Sequence, residues 1–166
     1  MNMKALLIIG AGGHGRVVAE IAIELGYDNI VFLDDNSETA IGKIDEMDKF
    51  VEDYHNAFCA IGNNTVRAKI LDRLVNMGYI VPSLIHPTAY VSNSSEIESG
   101  VVVEPGAIVN SGAHLHRGAI VSVGAIIDHD TDVGVCSHIN AGAIVKAGGH
   151  VDDYTRIDAG CVVSGY

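Results

Sequence analysis

The sequence predicts two fold classes in one chain: an α/β half domain over residues 1–84 and an all-β, hexapeptide-repeat solenoid over residues 85–166. Three observations carry this division. An aliphatic residue recurs at every sixth position from Ile85 to Val163 without a miss. Before residue 85 there is no such hexad. There, Gly10-Ala-Gly-Gly-His-Gly15 joins an apolar run to a helical pattern instead, the arrangement of a Rossmann-like first turn.

The aliphatic series is Ile85, Val91, Ile97, Val103, Val109, Leu115, Val121, Ile127, Val133, Ile139, Val145, Val151, Ile157 and Val163. Three positions later there is usually a glycine, as at Gly100, Gly106, Gly112, Gly118, Gly124, Gly142, Gly148 and Gly160. The next position is small or β-branched, as at Ala107, Ala113, Ala119, Ala125, Thr131 and Ser137. Each hexad then supplies a short strand with its aliphatic residue turned inward, followed by a turn where glycine accepts positive φ without steric cost. Three hexads close a triangular coil of about 18 residues, so the array holds roughly four and a half stacked coils. It stops in phase at Val163-Ser164-Gly165-Tyr166, so a partner or further chain is expected to cover that end.

Pro82 and Pro87 punctuate the entry into the array and mark the domain boundary. The net charge of −11 is shared about equally by the two halves. An acidic chain without a basic stripe argues against nucleic acid, so a phosphate-bearing ligand would be held by backbone amides or a few local cations. The apolar run near the start is too short for a signal peptide, and no stretch approaches a membrane span of about 18 apolar residues. Cys59, Cys136 and Cys161 are odd in number and lack CxxC spacing, which suggests neither a disulfide framework nor a zinc knuckle. A cytoplasmic protein is expected.

In the first half, residues 4–9 read as a buried parallel strand and residues 16–25 as a helix, with apolar residues at 17, 18, 21, 22 and 25 and Gly26 as its stop. A second strand at 29–33 runs into Asp34-Asp35, about 20 residues beyond the glycines. A helix is predicted at 45–54, a strand at 57–61, a helix at 65–77 capped by Asn64 or Thr65, and a last strand at 80–85. This is half of a doubly wound dinucleotide domain, which suits a mononucleotide or nucleotide-sugar better than NAD. The glycine loop is either a phosphate site at a helix N-terminus or a tight turn that lets helix and strand pack.

Residues about 18 apart lie above one another in successive coils. His138 is thereby placed between Ile120 and Arg156, and His129 between Ser111 and Ala147. His114, Asp132 and His150 form one column, either a hydrogen-bonded surface ladder or a divalent-metal site between subunits, and His116 stacks near Gly134 and Asp152. His129 lies in Asp128-His129-Asp130-Thr131-Asp132, where Asp130 replaces the expected glycine. A carboxylate beside an imidazole orients it and raises its basicity, as a general base near neutral pH requires. The alternative is a solvated polar turn. His138 is either a ligand contact or a satisfied structural histidine.

The whole order resembles the nucleotide-sugar and sialic-acid acyltransferase family of left-handed β-helix enzymes, which includes acetyltransferases acting on UDP-linked 4-amino sugars in bacillosamine synthesis. The resemblance rests on Ile9-Gly-Ala-Gly-Gly-His-Gly-Arg16, Phe32-Leu-Asp-Asp35, Ala60-Ile-Gly-Asn-Asn64 and Ile127-Asp-His-Asp130. It implies a left-handed coil and a nucleotide-sugar held by Gly13, His14, Gly15, Asp34, Asp35 and Gly62. It also implies His129 as the base for the acceptor amine or hydroxyl, with Asp130 increasing its basicity. Acetyl-CoA would be the co-substrate, contacted by His138 and the last coils in a cleft between neighbouring solenoids of a homotrimer. Members usually carry one or two further coils than this chain. No resident metal is implied. Transfer would be direct, through a ternary complex, with a backbone N–H at a solenoid turn holding the oxyanion.

Other classes make different demands. A γ-carbonic-anhydrase-like hydratase needs three histidines on one zinc and leaves the glycine loop unexplained. A non-catalytic nucleotide-sugar-binding protein needs only the first half. A short-chain dehydrogenase needs a second nucleotide half that is absent from these residues.

Overall fold

The computed structural model describes residues 4–166, and the chain divides into two compact units between Pro82 and Ser83. The first unit is built on three parallel strands, β1 (Ala5–Ile9), β2 (Asn29–Leu33) and β3 (Ala57–Cys59), in the order β2-β1-β3. The central strand β1 buries Leu6, Leu7, Ile8 and Ile9 completely, which explains its unbroken apolar sequence. Helix α1 (Gly13–Glu24) follows β1, and helix α2 (Asn64–Asn76) follows β3.

Several boundaries differ from expectation, each for a local reason. Helix α1 begins inside the glycine loop, with Gly12 as its N-cap. Helix α2 is capped one residue earlier than predicted, by Asn63, whose Oδ1 accepts from the Val66 amide at 3.0 Å. The segment predicted as a helix at 45–54 is a short 3-10 helix, Ile44–Phe50. Its apolar residues Ile44, Met47 and Phe50 recur every third position, the spacing that aligns on a 3-10 helix, and Met47 is fully buried. The predicted strand at 80–85 is interrupted at Pro82, which has no N–H to give a ladder. Ile80 bridges Asn56 within the first unit, whereas Leu84–Ile85 pairs with Val102–Val103 in the second.

The second unit is a parallel β-solenoid. Two-residue strands from Leu84–Ile85 to Val162–Val163 stack into sheets of five, five and four strands. The register is the 18-residue stacking read from the sequence: Ile120 pairs with Val102 and His138, and Asp132 pairs with His114 and His150. The second residue of each strand points inward, and Val103, Val109, Leu115, Val121, Ile127, Val133, Ile139 and Val145 are fully buried in one column. Truncating Leu115, Ile127 or Ile139 to alanine costs about 2–5 kcal/mol in a core that cannot collapse around the hole.

The first residue of each strand points outward, and the three faces differ in chemistry. One carries Tyr90, Ile108, Ile126, Ile144 and Val162, another Glu96, His114, Asp132 and His150, and the third Leu84, Val102, Ile120, His138 and Arg156. The turn slots are left-handed, as at Gly124 (φ 65°) and Gly142 (φ 65°). Only Asp130 (φ 55°), Cys136 (φ 51°) and Tyr154 (φ 59°) carry a side chain there among the described residues. No helix among the described residues is long and apolar enough to cross a membrane.

Candidate functional site

The corner that follows Ile127 is stiff because each of its groups is tied. Asp128 Oδ1 accepts from the His129 amide at 2.8 Å and from Asn110 Nδ2 at 3.2 Å. Thr131 Oγ1 donates to the Asp128 carbonyl at 2.9 Å. The Asp130 amide donates to the Ser111 carbonyl one coil away, also at 2.9 Å. These bonds leave the His129 side chain projecting from a fixed backbone, 43% exposed.

His129 Nδ1 lies 2.9 Å from Asp130 Oδ2. That hydrogen bond holds the His129 pKa above the ordinary histidine value, helped by the charges of Asp128 and Asp130 and opposed by partial desolvation. With Nδ1–H donated to the carboxylate, the lone pair of the neutral ring is on Nε2. Asp130 reaches this position because its backbone occupies the left-handed slot that glycine fills in neighbouring turns; aspartate tolerates that conformation better than most residues. The Tyr166 ring lies nearby, 6.4 Å between ring centroids. At this corner the Gly148 N–H donates to the His129 carbonyl at 3.0 Å, which ties the turn to the next coil.

His138 stacks between Ile120 and Arg156 and sets Nε2 3.0 Å from Ser122 Oγ. It belongs to the third face, whereas His129 lies at the corner between the other two. One prism therefore presents these two histidines on opposite sides.

The column His114–Asp132–His150 forms a hydrogen-bonded ladder with partners the sequence did not indicate. His114 Nε2 and His116 Nδ1 lie 2.9 Å and 3.0 Å from Glu98 Oε1. His116 Nε2 lies 2.8 Å from Asp132 Oδ1, and His150 bridges Asp132 and Asp152 at 3.0 Å and 3.1 Å. Partial desolvation works against the charged form of His116, but Asp132 and Glu98 outweigh it and raise its pKa.

In the first unit the predicted residues gather at the carboxyl ends of β1, β2 and β3, where open parallel sheets bind ligands. Asp34 ties these loops together. Its Oδ2 accepts from the Ala11 amide at 2.8 Å, and its Oδ1 from Asn36 and Ser37 at 2.8 Å and 3.0 Å. These backbone donors, Ala11 first, hold its carboxyl below the usual range. Asp35 Oδ1 accepts from the Ile44 amide at 3.1 Å, and the Asp35 carbonyl accepts from Lys43.

The glycines divide by role. A Cβ on Gly15 would sit 2.1 Å from the Gly10 carbonyl oxygen, so Gly15 is required for the close approach of α1 to β1. A Cβ on Gly12 or Gly62 would meet nothing within 4 Å, and one on Gly13 only the end of Arg16 at 4.0 Å. Internal packing leaves the space over these three open. His14 sits half-buried in the first turn of α1. Arg67, only 1% exposed, was not anticipated; its guanidinium donates to the carbonyls of Ile61 (2.9 Å) and Gly62 (3.3 Å) and to Asn64 Oδ1 (2.9 Å). It shapes the Gly62 loop from behind.

Comparisons with known proteins agree with this architecture. Residues 5–74 match the PglD N-terminal domain. The UDP-N-acetylbacillosamine N-acetyltransferase of Bacillus subtilis is 32% identical over 112 residues, 61% of this chain; the match spans about half (51%) of that curated relative's length. The acetyltransferase domain of PglB from Neisseria gonorrhoeae, solved in complex with acetyl coenzyme A, is 37% identical, with 97% of this chain and 82% of that chain covered and a TM-score of 0.91. A histidine-to-alanine mutant of GDP-perosamine N-acetyl transferase from Caulobacter crescentus, solved with CoA and GDP-perosamine, is 27% identical, covers 97% of this chain and 89% of its own, and has a TM-score of 0.86. On the identity and coverage shared with the gonococcal domain, the chain belongs to the bacillosamine-type sugar acetyltransferase family.

Proposed function

We propose that the protein transfers an acetyl group from acetyl-CoA to the amine of a nucleotide-linked amino sugar, with His129 as general base. The observation that carries this is the His129 Nδ1–Asp130 Oδ2 contact at 2.9 Å, which favours the tautomer with its lone pair on Nε2 of a part-exposed ring. As the amine nitrogen bonds to the acetyl carbonyl carbon, its proton passes to His129 Nε2. The carbon–sulfur bond then breaks, and the proton is returned to the coenzyme thiolate. Asp130 increases the basicity of the imidazole and stabilises its charged form. The substrates suggested by the relatives are UDP- or GDP-linked amino sugars with acetyl-CoA as donor.

The nucleotide end is assigned to the loops of Gly13, His14, Gly15, Asp35 and Gly62. The open space over Gly12, Gly13 and Gly62 supports close approach of a phosphate to the N-terminus of α1. Asp34 serves this site through the loop it ties. His138 is assigned to the coenzyme. Because His129 and His138 lie on opposite sides of one prism, a shared cleft needs His138 from a second copy, which supports a homotrimer. The apolar face that ends at the His129 corner, with Tyr90 58% and Val162 55% exposed, suits burial against a neighbour. Three free cysteines and the coenzyme fit a cytoplasmic reaction.

The test is coenzyme A release from acetyl-CoA with a panel of UDP- and GDP-linked 4-amino sugars. Release that requires the amino sugar is expected. Binding of the sugar nucleotide without release, in protein whose trimer is intact, would overturn the enzymatic assignment.

A further inference from the structure

The polar face of the solenoid holds a second constellation, built on Glu98, His114 and His116. His114 and His116 flank the inward Leu115, so both rings leave the outer side of one strand, with centroids 3.8 Å apart. Glu98 comes from the preceding coil. Its Oε2 is fixed by the Arg117 amide at 2.8 Å, which directs Oε1 at both imidazoles, 2.9 Å from His114 Nε2 and 3.0 Å from His116 Nδ1. One donor atom from each of the three lies within 4.8 Å of the others.

The proton inventory does not close with neutral rings. A neutral imidazole carries one N–H. His116 faces a carboxylate oxygen at each nitrogen, Glu98 Oε1 and Asp132 Oδ1, the latter at 2.8 Å. If Nε2–H donates to Asp132, the Nδ1 lone pair meets a carboxylate lone pair, so Nδ1 and Glu98 Oε1 are bridged either by a second proton, as in the imidazolium, or by a metal ion held by both. A carboxylate on the far nitrogen is also the usual outer support of a metal-ligating histidine, fixing its tautomer and ring orientation.

We propose that Glu98 Oε1, His114 Nε2 and His116 Nδ1 bind a divalent transition metal of the zinc class. Tetrahedral bonds of about 2.0–2.1 Å place neighbouring ligand atoms roughly 3.3 Å apart, so Glu98 Oε1, 2.9 Å and 3.0 Å from the two ring nitrogens, needs to move by only a few tenths of an ångström, on the order of a small side-chain adjustment. Two imidazoles and one carboxylate favour zinc, cobalt, nickel or copper over magnesium or calcium. Three protein ligands leave a position for water. The ion acts as a clip. Strand Glu96–Ile97 is the edge of its four-stranded sheet, and the metal ties that edge to the next coil through the His114–Leu115 strand.

The test uses untagged, chelator-stripped full-length protein titrated with zinc by calorimetry and with cobalt(II) by visible absorption. Expected is one saturable equivalent per chain, with cobalt bands of a nitrogen/oxygen site and a raised melting temperature. Glu98→Gln and His116→Ala should abolish it. Asp132→Asn, which removes only the outer carboxylate, should weaken it about 10–100-fold. His129→Ala should retain the equivalent. Absence of saturable binding in the unaltered protein, undiminished binding in Asp132→Asn and Glu98→Gln, or loss in His129→Ala would overturn the proposal. The cobalt spectrum of the unaltered protein keeps the test decisive if His116→Ala does not fold.

Discussion

His129 and His116 are both imidazoles whose pKa is raised by carboxylates at turns of the same solenoid, yet their surroundings suit them for opposite work. His129 has one carboxylate, on Nδ1, which leaves Nε2 without one, and it projects from a turn held by several backbone hydrogen bonds. His116 has a carboxylate on each nitrogen and stacks against a second histidine. The first can accept a proton from a substrate and pass it on. The second has no nitrogen left for that, and its two carboxylates favour a positive charge on or beside the ring. Basicity alone therefore does not mark a general base; an accessible second nitrogen does.

The largest expected effect tests the first half of that contrast. His129→Ala should lower kcat by roughly 10²- to 10⁴-fold, with little change in substrate affinity. Its effect on stability should stay within about 0.5 kcal/mol, because the side chain is outside the aliphatic column. A similar contrast separates two glycines of the first unit. Gly15→Val forces a side chain against the Gly10 carbonyl and should destabilise that unit by about 1–3 kcal/mol or more in denaturant titrations. Gly13→Val has open space and should instead weaken sugar-nucleotide binding in calorimetry, with the unfolding midpoint preserved.

His116→Ala should act on stability, at about 1–2 kcal/mol, since it leaves Glu98 and Asp132 without their shared partner. A fall in melting temperature of roughly 2–8 °C checks this. The smallest effect is Asp130→Gly, which restores the residue favoured at φ 55°. It should raise stability by a few tenths to about 1 kcal/mol while reducing kcat by less than His129→Ala does.

What the sequence discloses follows from how directly a residue's role depends on backbone position. The sixfold aliphatic period is legible because each inward residue must enter one column, and the 18-residue stacking follows from three strands per coil. Asp130 stood out for the same reason, as a side chain in a glycine slot. Side-chain direction is not given by stacking arithmetic. His116 reaches Asp132, and His114 reaches Glu98, across 16 residues, so diagonal contacts brace the 18-residue ones that the stacking predicts, such as His150 to Asp132. The place of Asp34 at a strand end is legible, but the hold of its carboxylate on the Ala11, Asn36 and Ser37 amides is not, because that depends on how the loops return to it. The buried guanidinium of Arg67 had no signal in an amphipathic helix pattern. The 3-10 helix did have one, in the threefold spacing of Ile44, Met47 and Phe50.

The pH dependence of acetyl transfer tests the role of the His129–Asp130 pair most directly. The base works only when deprotonated, and Asp130 raises the pKa of His129, so activity must fall on acidification through a value above that of an ordinary histidine. Asp130→Asn removes the charge while keeping the shape, and its acid limb should move to lower pH as maximal kcat drops. An acid limb at the same pH in both proteins would contradict the assignment of Asp130 and His129 as a coupled base.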